Sequence, residues 1–466
     1  MPVSPARRLA YRVLRRLEHG TEFGADLLRA APETLSDADR HLATELVLGV
    51  TRRRAQLDDV IARLSGHRLS YFDPEIVTIL RLAVYQICFL ERVPKPAVVN
   101  ESVEMTKSAR KGSAAGLVNA VLRKCEPSSV AARSDSQVAG LAVPDWLRER
   151  WERHYGGDAA SSLARWTLET PATILRVVDG DVASMREELA AAGIRTRAAS
   201  YAPRALVVDS GNITKSDAWL AGRVVIQEEA SQLVTSLVRP QPGQRVLDLC
   251  AAPGMKSVGI AAELGEGVLI LCDRSERRLR SMNISRLIPG DVRWGAVELD
   301  AATPLPFGVH FDRILLDAPC SGTGTLGRNP EIKWRLKPED IERLAASQVR
   351  MLRNALGVVA PGGRLVYATC SLEPEENEQV VESALADQHH FAVMPYGQLS
   401  QERPHLAAMF DDHGYFHSRP DLHGTDGFFA AVIERQAEVH SPTNPLSAPK
   451  IPNLGEGCLI PKFSTG

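Results

Sequence analysis

Two cysteines fifty residues apart stand in matching surroundings. Ile314-Leu315-Leu316-Asp317-Ala318-Pro319-Cys320 and Leu365-Val366-Tyr367-Ala368-Thr369-Cys370 each read as an apolar strand that runs into a loop opening on a thiol. If both strands belong to one parallel sheet, both thiols lie at its carboxyl edge beside Asp317, where open α/β sheets take their ligands. A thiolate is a strong nucleophile when its pKa is depressed or a base is near. Added to carbon 6 of a pyrimidine, it turns carbon 5 into an enamine nucleophile that takes a methyl group from a sulfonium donor. Asp317 would support protonation at N3 as charge develops. A base must then remove the proton on carbon 5 and the thiol must leave, a step the second cysteine can assist. Each cysteine alone reads as a buried strand-end thiol, but the paired placement beside Pro319 and two serines favours chemistry.

The same edge offers a place for a cofactor. The first βα turn, Val246-Leu247-Asp248-Leu249-Cys250-Ala251-Ala252-Pro253-Gly254-Met255-Lys256, is rich in small residues that let a ligand approach the backbone. It is not GxGxxG, so the dinucleotide fingerprint is absent. The next strand ends on Asp273, about 20 residues past the turn, a spacing that suits hydrogen bonds to ribose hydroxyls. The third ends on Asp300. Three strand-end carboxylates (273, 300 and 317) point to a nucleoside-like cofactor, although any one alone reads as a helix cap.

These side chains need a scaffold. Residues 236–436 alternate strands, expected over 245–250, 267–273, 292–299, 312–317 and 363–370, with helices over 256–264, 276–287 and 338–359, and end in a strand over 428–434. That rhythm is a Rossmann-like α/β domain. Residues 1–125 repeat apolar positions at helical spacing, as at Leu9, Val13 and Leu17, and read as an all-α domain. Residues 126–143 are small and polar, a linker. Residues 144–235 open with a helical segment and continue as a small α+β module with one helix ended by Gly193. Residues 437–466 read as a flexible tail rich in Pro, Ser and Gly.

Composition narrows the class. The 466 residues are 44% hydrophobic and 24% charged, ordinary for a globular chain. No apolar run reaches a membrane span and no signal peptide core follows the basic start, so the expected location is cytoplasmic, with no membrane partner. Seven cysteines without a CxxC or Cys/His cluster give neither a disulfide framework nor a zinc site, and no metal is expected. The net charge of −2 conceals an excess of 20 Lys+Arg over 14 Asp+Glu in residues 1–125. Arginines at 7, 8, 12, 15, 16 and 52–54 are candidates for phosphate contacts, and a solvated helical surface is the alternative.

DAPCSGTG with RNPEIKW after it, ATCSLEPEEN, and LDLCAAPGMK together resemble the RNA cytosine-5 methyltransferases of the NOL1/NOP2/Sun family. The helical front, with DRHLATELVLGVTRRRAQLD, is similar to the NusB-type RNA-binding domain, and the combination resembles the bacterial small-subunit ribosomal RNA cytosine-5 methyltransferases. The resemblance implies Cys370 as nucleophile, Cys320 as the cysteine that promotes product release, and Asp317 beside the target base. It implies S-adenosyl-L-methionine bound by Cys250, Ala251, Ala252, Pro253, Gly254, Met255, Lys256, Asp273, Asp300 and Asp317. The α+β module then looks like an RNA-binding extension, and HGTDGFF at 423–429 like a motif near the active site. The implied partner is small-subunit ribosomal RNA in a single-stranded or looped region, met by a monomer. Two positions depart from the family: Met255 stands where a second Gly is usual, and Val178 where many relatives carry Asn. The competing reading is an RNA-binding assembly or antitermination factor, against which the intact cysteine pair argues. A DNA cytosine methyltransferase would need one strand-end cysteine, not two.

Overall fold

The computed structural model describes residues 3–20, 22–30, 34–130 and 135–437. The expected tail, with Cys458, lies outside them apart from residue 437. The chain forms two compact units: one takes residues up to 171 together with 326–336, the other residues 172–325 and everything from 337 on.

In the first unit, helix Pro74–Phe89 is buried on every face from Ile76 to Ile87 and forms the centre of the core. Helices Pro5–Leu17, Asp37–Arg52 and Arg54–Ser65 bring apolar stripes to it, as their 3.6-residue periodicity requires. Ser36 caps the second of these, its Oγ accepting the Asp39 amide at 3.1 Å. The residues expected to be linker are partly built into the structure: helix Asp135–Gly140 is followed by buried Ala142 and Val143. The helical segment 144–170 packs in this unit rather than with the α+β module.

Segment 326–336, in sequence part of the catalytic domain, also belongs here. Fully buried Lys333 anchors it, Nζ donating to Arg52 O (2.9 Å), Ala142 O (2.6 Å) and Thr167 Oγ1 (3.2 Å). Burial drives this lysine well below its usual pKa, with Arg52 and Arg53 adding to the effect. Arg52 is itself buried and donates to Gly327 O at 3.0 Å, and Arg7 turns inward to Gln86 and Glu101. These two of the expected phosphate-binding arginines are therefore structural. Arg8, Arg12 and Arg16 remain exposed.

The second unit holds two sheets. Strands β1 (Thr173–Val177), β2 (Arg195–Ala198), β3 (Ala205–Ser210) and β4 (Val224–Ile226) pair antiparallel in the order β2-β3-β1-β4, with helix Val182–Ala191. The expected strand at the WLAG stretch begins instead as helix Asp217–Leu220, capped by Ser216. The larger sheet contains β5 (Arg245–Leu249), β6 (Gly267–Asp273), β7 (Val292–Glu298), β8 (Phe311–Asp317) and β9 (Val359–Thr369), all parallel. Three further strands, β10 (Phe391–Val393), β11 (Tyr415–Ser418) and β12 (Phe428–Arg435), complete it antiparallel, in the order β10-β12-β9-β8-β5-β6-β7 with β11 on β12. The near-continuous apolar strands are buried on both faces, as in parallel sheets generally. Alternation divides them between two cores: Leu365 and Tyr367 go to one side, Val366 and Ala368 to the other. The expected helix over 276–287 stops at Arg280. The chain runs outward from β5 through β6 to β7, then returns to the other side of β5 with β8. The direction reverses between β5 and β8, so a ligand crevice opens at their carboxyl ends.

Candidate active site

Cys320 and Cys370 leave neighbouring parallel strands, β8 and β9, whose register pairs Asp317 with Ala368. The Ala318 amide donates to Ala368 O at 2.8 Å, extending the ladder to the loop mouths. The two Sγ atoms are 3.4 Å apart. The Cys320 thiol is pushed well above its usual range, first by its hydrogen bond to Cys370, then by burial and by the Cys370 and Glu376 charges. Behind the pair, the Gly324 amide donates to Cys370 O (3.0 Å) and the Gly427 amide to Gly324 O (2.7 Å). A Cβ on Gly324 would stand 2.0 Å from Gly427 O, so close backbone approach requires glycine there. This brings the 423–429 stretch against the cysteine loops, as its motif implies.

Asp317 ends β8. Its Oδ2 accepts from Lys256 Nζ at 2.7 Å, and the ammonium also lies 5.2 Å from the centre of the Phe428 ring. Burial opposes the charge of Lys256, but attraction to Asp317, then to Cys370 and Asp248, raises its pKa on balance. Sequence reasoning treated Lys256 as a cofactor-loop residue alone; the structure points its head at Asp317.

The small-residue turn follows β5. Cys250 adopts φ +64° and Gly254 φ +97°, the left-handed region, where a Cβ on Gly254 would meet Ile284 at 3.0 Å and Met282 at 3.2 Å. Burial, then the Asp317 and Asp273 charges, raise the Cys250 thiol, so it serves as a neutral packing group. The Ala251 amide donates to Cys272 O (2.7 Å) and the Gly254 amide to Ala251 O (2.7 Å). Ala252 and Pro253 complete the turn, and Met255 begins helix Met255–Leu264, partly buried against the core. The Met-for-Gly departure therefore falls on an ordinary helical position. Asp273, at the end of β6, is almost fully buried: Oδ1 accepts the Ser275 amide (3.0 Å), and Oδ2 lies 3.2 Å from Arg278 without a hydrogen bond. Asp300 lies two residues past β7, exposed, its Oδ1 accepting the Ala302 amide at 2.9 Å. The same backbone contact, to the amide two residues on, is made by Asp273, whereas Asp317 pairs with Lys256.

Two groups escaped sequence reasoning. Arg278 spans Asp273 and Ala252 O (2.6 Å), joining the ends of two strands. Glu376, fully buried, receives hydrogen bonds from Ser321 and Ser371, the residues after the two cysteines. The doubled acid in SLEPEEN was the available signal, but nothing local distinguishes Glu376 from Glu375.

A parallel sheet that reverses direction at β5, with a small-residue turn after β5 and an acid ending β6, defines a Rossmann-like methyltransferase core. The chain belongs to the family described as 16S rRNA methyltransferase RsmB/F, which matches residues 235–434. The NusB family matches residues 4–127, and an RsmF/B-like ferredoxin-like domain matches residues 143–214. The chain is 32% identical over 449 residues to the probable ribosomal RNA small subunit methyltransferase B of Bacillus subtilis (strain 168), covering 94% of this chain and 100% of that one. To the ribosomal RNA small subunit methyltransferase B of Serratia proteamaculans (strain 568) it is 30% identical over 409 residues, covering 84% and 93%. The crystal structure of a methyltransferase homolog from Pyrococcus horikoshii superposes with a TM-score of 0.54 at 30% identity, over 65% of this chain and 97% of that one. No helix among the described residues is long and apolar enough to cross a membrane.

Proposed function

We propose that this protein methylates carbon 5 of a cytosine in small-subunit ribosomal RNA, using S-adenosyl-L-methionine and a covalent bond between Cys370 and carbon 6. The observation that carries the reading is the 3.4 Å approach of Cys320 and Cys370 at the sheet edge that also holds Asp317 and Lys256. The cofactor fits: the nearly buried Asp273 keeps one oxygen without a hydrogen bond at the carboxyl end of β6. When bound, it supplies an electrophilic methyl carbon on a positive sulfur.

Each residue then has a task. Cys370 Sγ, as thiolate, bonds to carbon 6, and the electron pair of the 5,6 double bond moves towards carbon 5. A negative sulfur at Cys370 is compensated by Lys256, which also holds Asp317 where the base edge would lie. Asp317 stabilises the proton at N3. With Cys370 bonded to carbon 6, its hydrogen bond and charge no longer hold the Cys320 thiol up. Once carbon 5 carries the methyl group, Cys320 gives its own proton to solvent and its Sγ takes the carbon 5 hydrogen as a proton. The double bond reforms and the bond from Cys370 to carbon 6 breaks, the sulfur keeping the pair. Over the cycle one proton reaches solvent. The target must leave its stack to meet a thiol below its plane, so single-stranded or looped RNA suits the site. The reading takes a monomer working in the cytoplasm, with no metal.

The test is a denaturing gel of wild type, Cys320→Ala and Cys370→Ala, each incubated with small-subunit ribosomal RNA and S-adenosyl-L-methionine. An RNA adduct that accumulates only in Cys320→Ala is expected. An adduct only in Cys370→Ala would exchange the roles. Neither adduct nor methyl transfer in wild type would overturn the proposal in favour of an RNA-binding role.

A further inference from the structure

Glu376 lies where the two cysteine loops meet, and no step above employs it. Its Oε1 accepts from the Ser321 amide (2.8 Å) and Gln348 Nε2 (3.0 Å); its Oε2 accepts from Ser371 Oγ (2.6 Å) and from Ser321 Oγ. The two serine hydroxyls are 3.0 Å from each other. Gln348 also donates to Pro319 O at 2.9 Å, so the backbone on both sides of Cys320 is held by one connected network. Tyr367 on β9 donates to Glu376 O at 2.5 Å and fixes the turn that presents the carboxylate. A fully buried carboxylate is costly unless its lone pairs are met, and here four neutral donors meet them. Such an acceptor shared between two loops ties the position of one to the other.

We propose that Glu376 is the positioning residue of the cysteine pair: it holds the Cys320 loop against the Cys370 loop, and thereby sets the rate at which the methylated base is released. This rests on the covalent reading above. Formation of the bond at carbon 6 needs Cys370, which β9 carries directly. Release needs a second sulfur within reach of the carbon 5 hydrogen, and a displacement of about 1 Å costs about a hundredfold in such a step. Loss of the clamp should therefore slow release more than attack.

Rapid-quench assays of Glu376→Ala and Glu376→Gln, run beside Cys320→Ala, test this by following covalent adduct and first-turnover methyl transfer separately. In Glu376→Ala, first-turnover methyl transfer should stay within a few-fold of wild type, while release slows about ten- to a hundredfold and adduct accumulates. Glu376→Gln should restore release: its amide oxygen still accepts the Ser321 amide, and its amide nitrogen donates to hydroxyls that can turn. A parallel fall of attack and release in Glu376→Ala, or no accumulation of adduct, would overturn the inference. If Glu376→Ala does not fold, as judged by melting, the double variant Ser321→Ala/Ser371→Ala should accumulate adduct in its place. Adduct in Cys320→Ala but in no clamp variant removes the role of Glu376 alone, whereas no adduct in Cys320→Ala removes the covalent reading beneath it.

Discussion

At the scale of single residues, the carboxylates of the site differ in the hydrogen-bond partners their surroundings give them. Asp248, fully buried beneath the cofactor turn, receives one hydrogen bond, from Ser257 Oγ at 2.5 Å, and its Oδ1 has no partner. Burial, with the Asp317 and Asp273 charges adding, raises its pKa from 3.8 to about 7. The folded state then holds a proton that the unfolded chain releases, so stability falls as pH rises from 3.8 to about 7 and levels off above. Asp248→Asn removes that dependence: its melting temperature should change less than that of wild type between pH 5 and 8, with a gain of about 2–4 kcal/mol at pH 8. An identical pH slope in both proteins would show that Asp248 ionises normally. Asp273 has one oxygen kept by Ser275 and the other near Arg278. Asp273→Ala should weaken S-adenosyl-L-methionine about ten- to a hundredfold in equilibrium dialysis, the worth of a hydrogen bond to a charged group. Unchanged affinity would remove the ribose assignment.

At the scale of elements, parallel strands deliver both thiols to one edge, and three backbone segments stack behind them. Gly324 is where they touch, between Cys370 O and Gly427. Gly324→Ala sets a methyl group against backbone, which cannot swing aside as a side chain can, so either the Cys320 loop or the 423–429 loop must shift. Methyl transfer should fall at least a hundredfold. Cofactor affinity, which the proposed reading assigns to the turn after β5, should hold within a few-fold when measured by dialysis. Equal losses in both would mean that the whole edge had moved. Along β8, β9 and β12 the buried apolar side chains alternate between two cores.

At the scale of the whole molecule, charge and covalent order matter more than any one contact. The excess of basic residues in 1–125 supports polyanion binding, but Arg7 and Arg52 spend their charge on internal partners. The logarithm of RNA affinity should fall linearly with the logarithm of salt concentration, with a slope of about 0.7 per phosphate contact for a single strand, as titrated by filter binding. Arg12→Ala should reduce that slope. Arg7→Ala should lower the melting temperature instead, because it breaks a buried pair with Glu101. Affinity independent of salt would contradict the phosphate-binding role. The chain also leaves the catalytic unit at residue 326, only five residues after Ser321, and returns at 337. The loop of Cys320 is thus covalently continuous with a segment that Lys333 anchors among the N-terminal helices.

Local pattern alone determined the strands that end on Asp317 and Thr369, the small-residue turn at 250–256 and the helical front, because apolar periodicity and turn chemistry are properties of neighbours in sequence. The candidate thiols and the carboxylates at 273 and 317 followed, since a strand end has a place in any parallel sheet. Tertiary structure alone decided the rest. The reach of Lys256 to Asp317 joins residues 61 apart, and that of Glu376 to Ser321 joins residues 55 apart. Segment 326–336 reads as part of one domain and packs in the other, because burial of Lys333 among three acceptors is settled by residues that no sequence window contains.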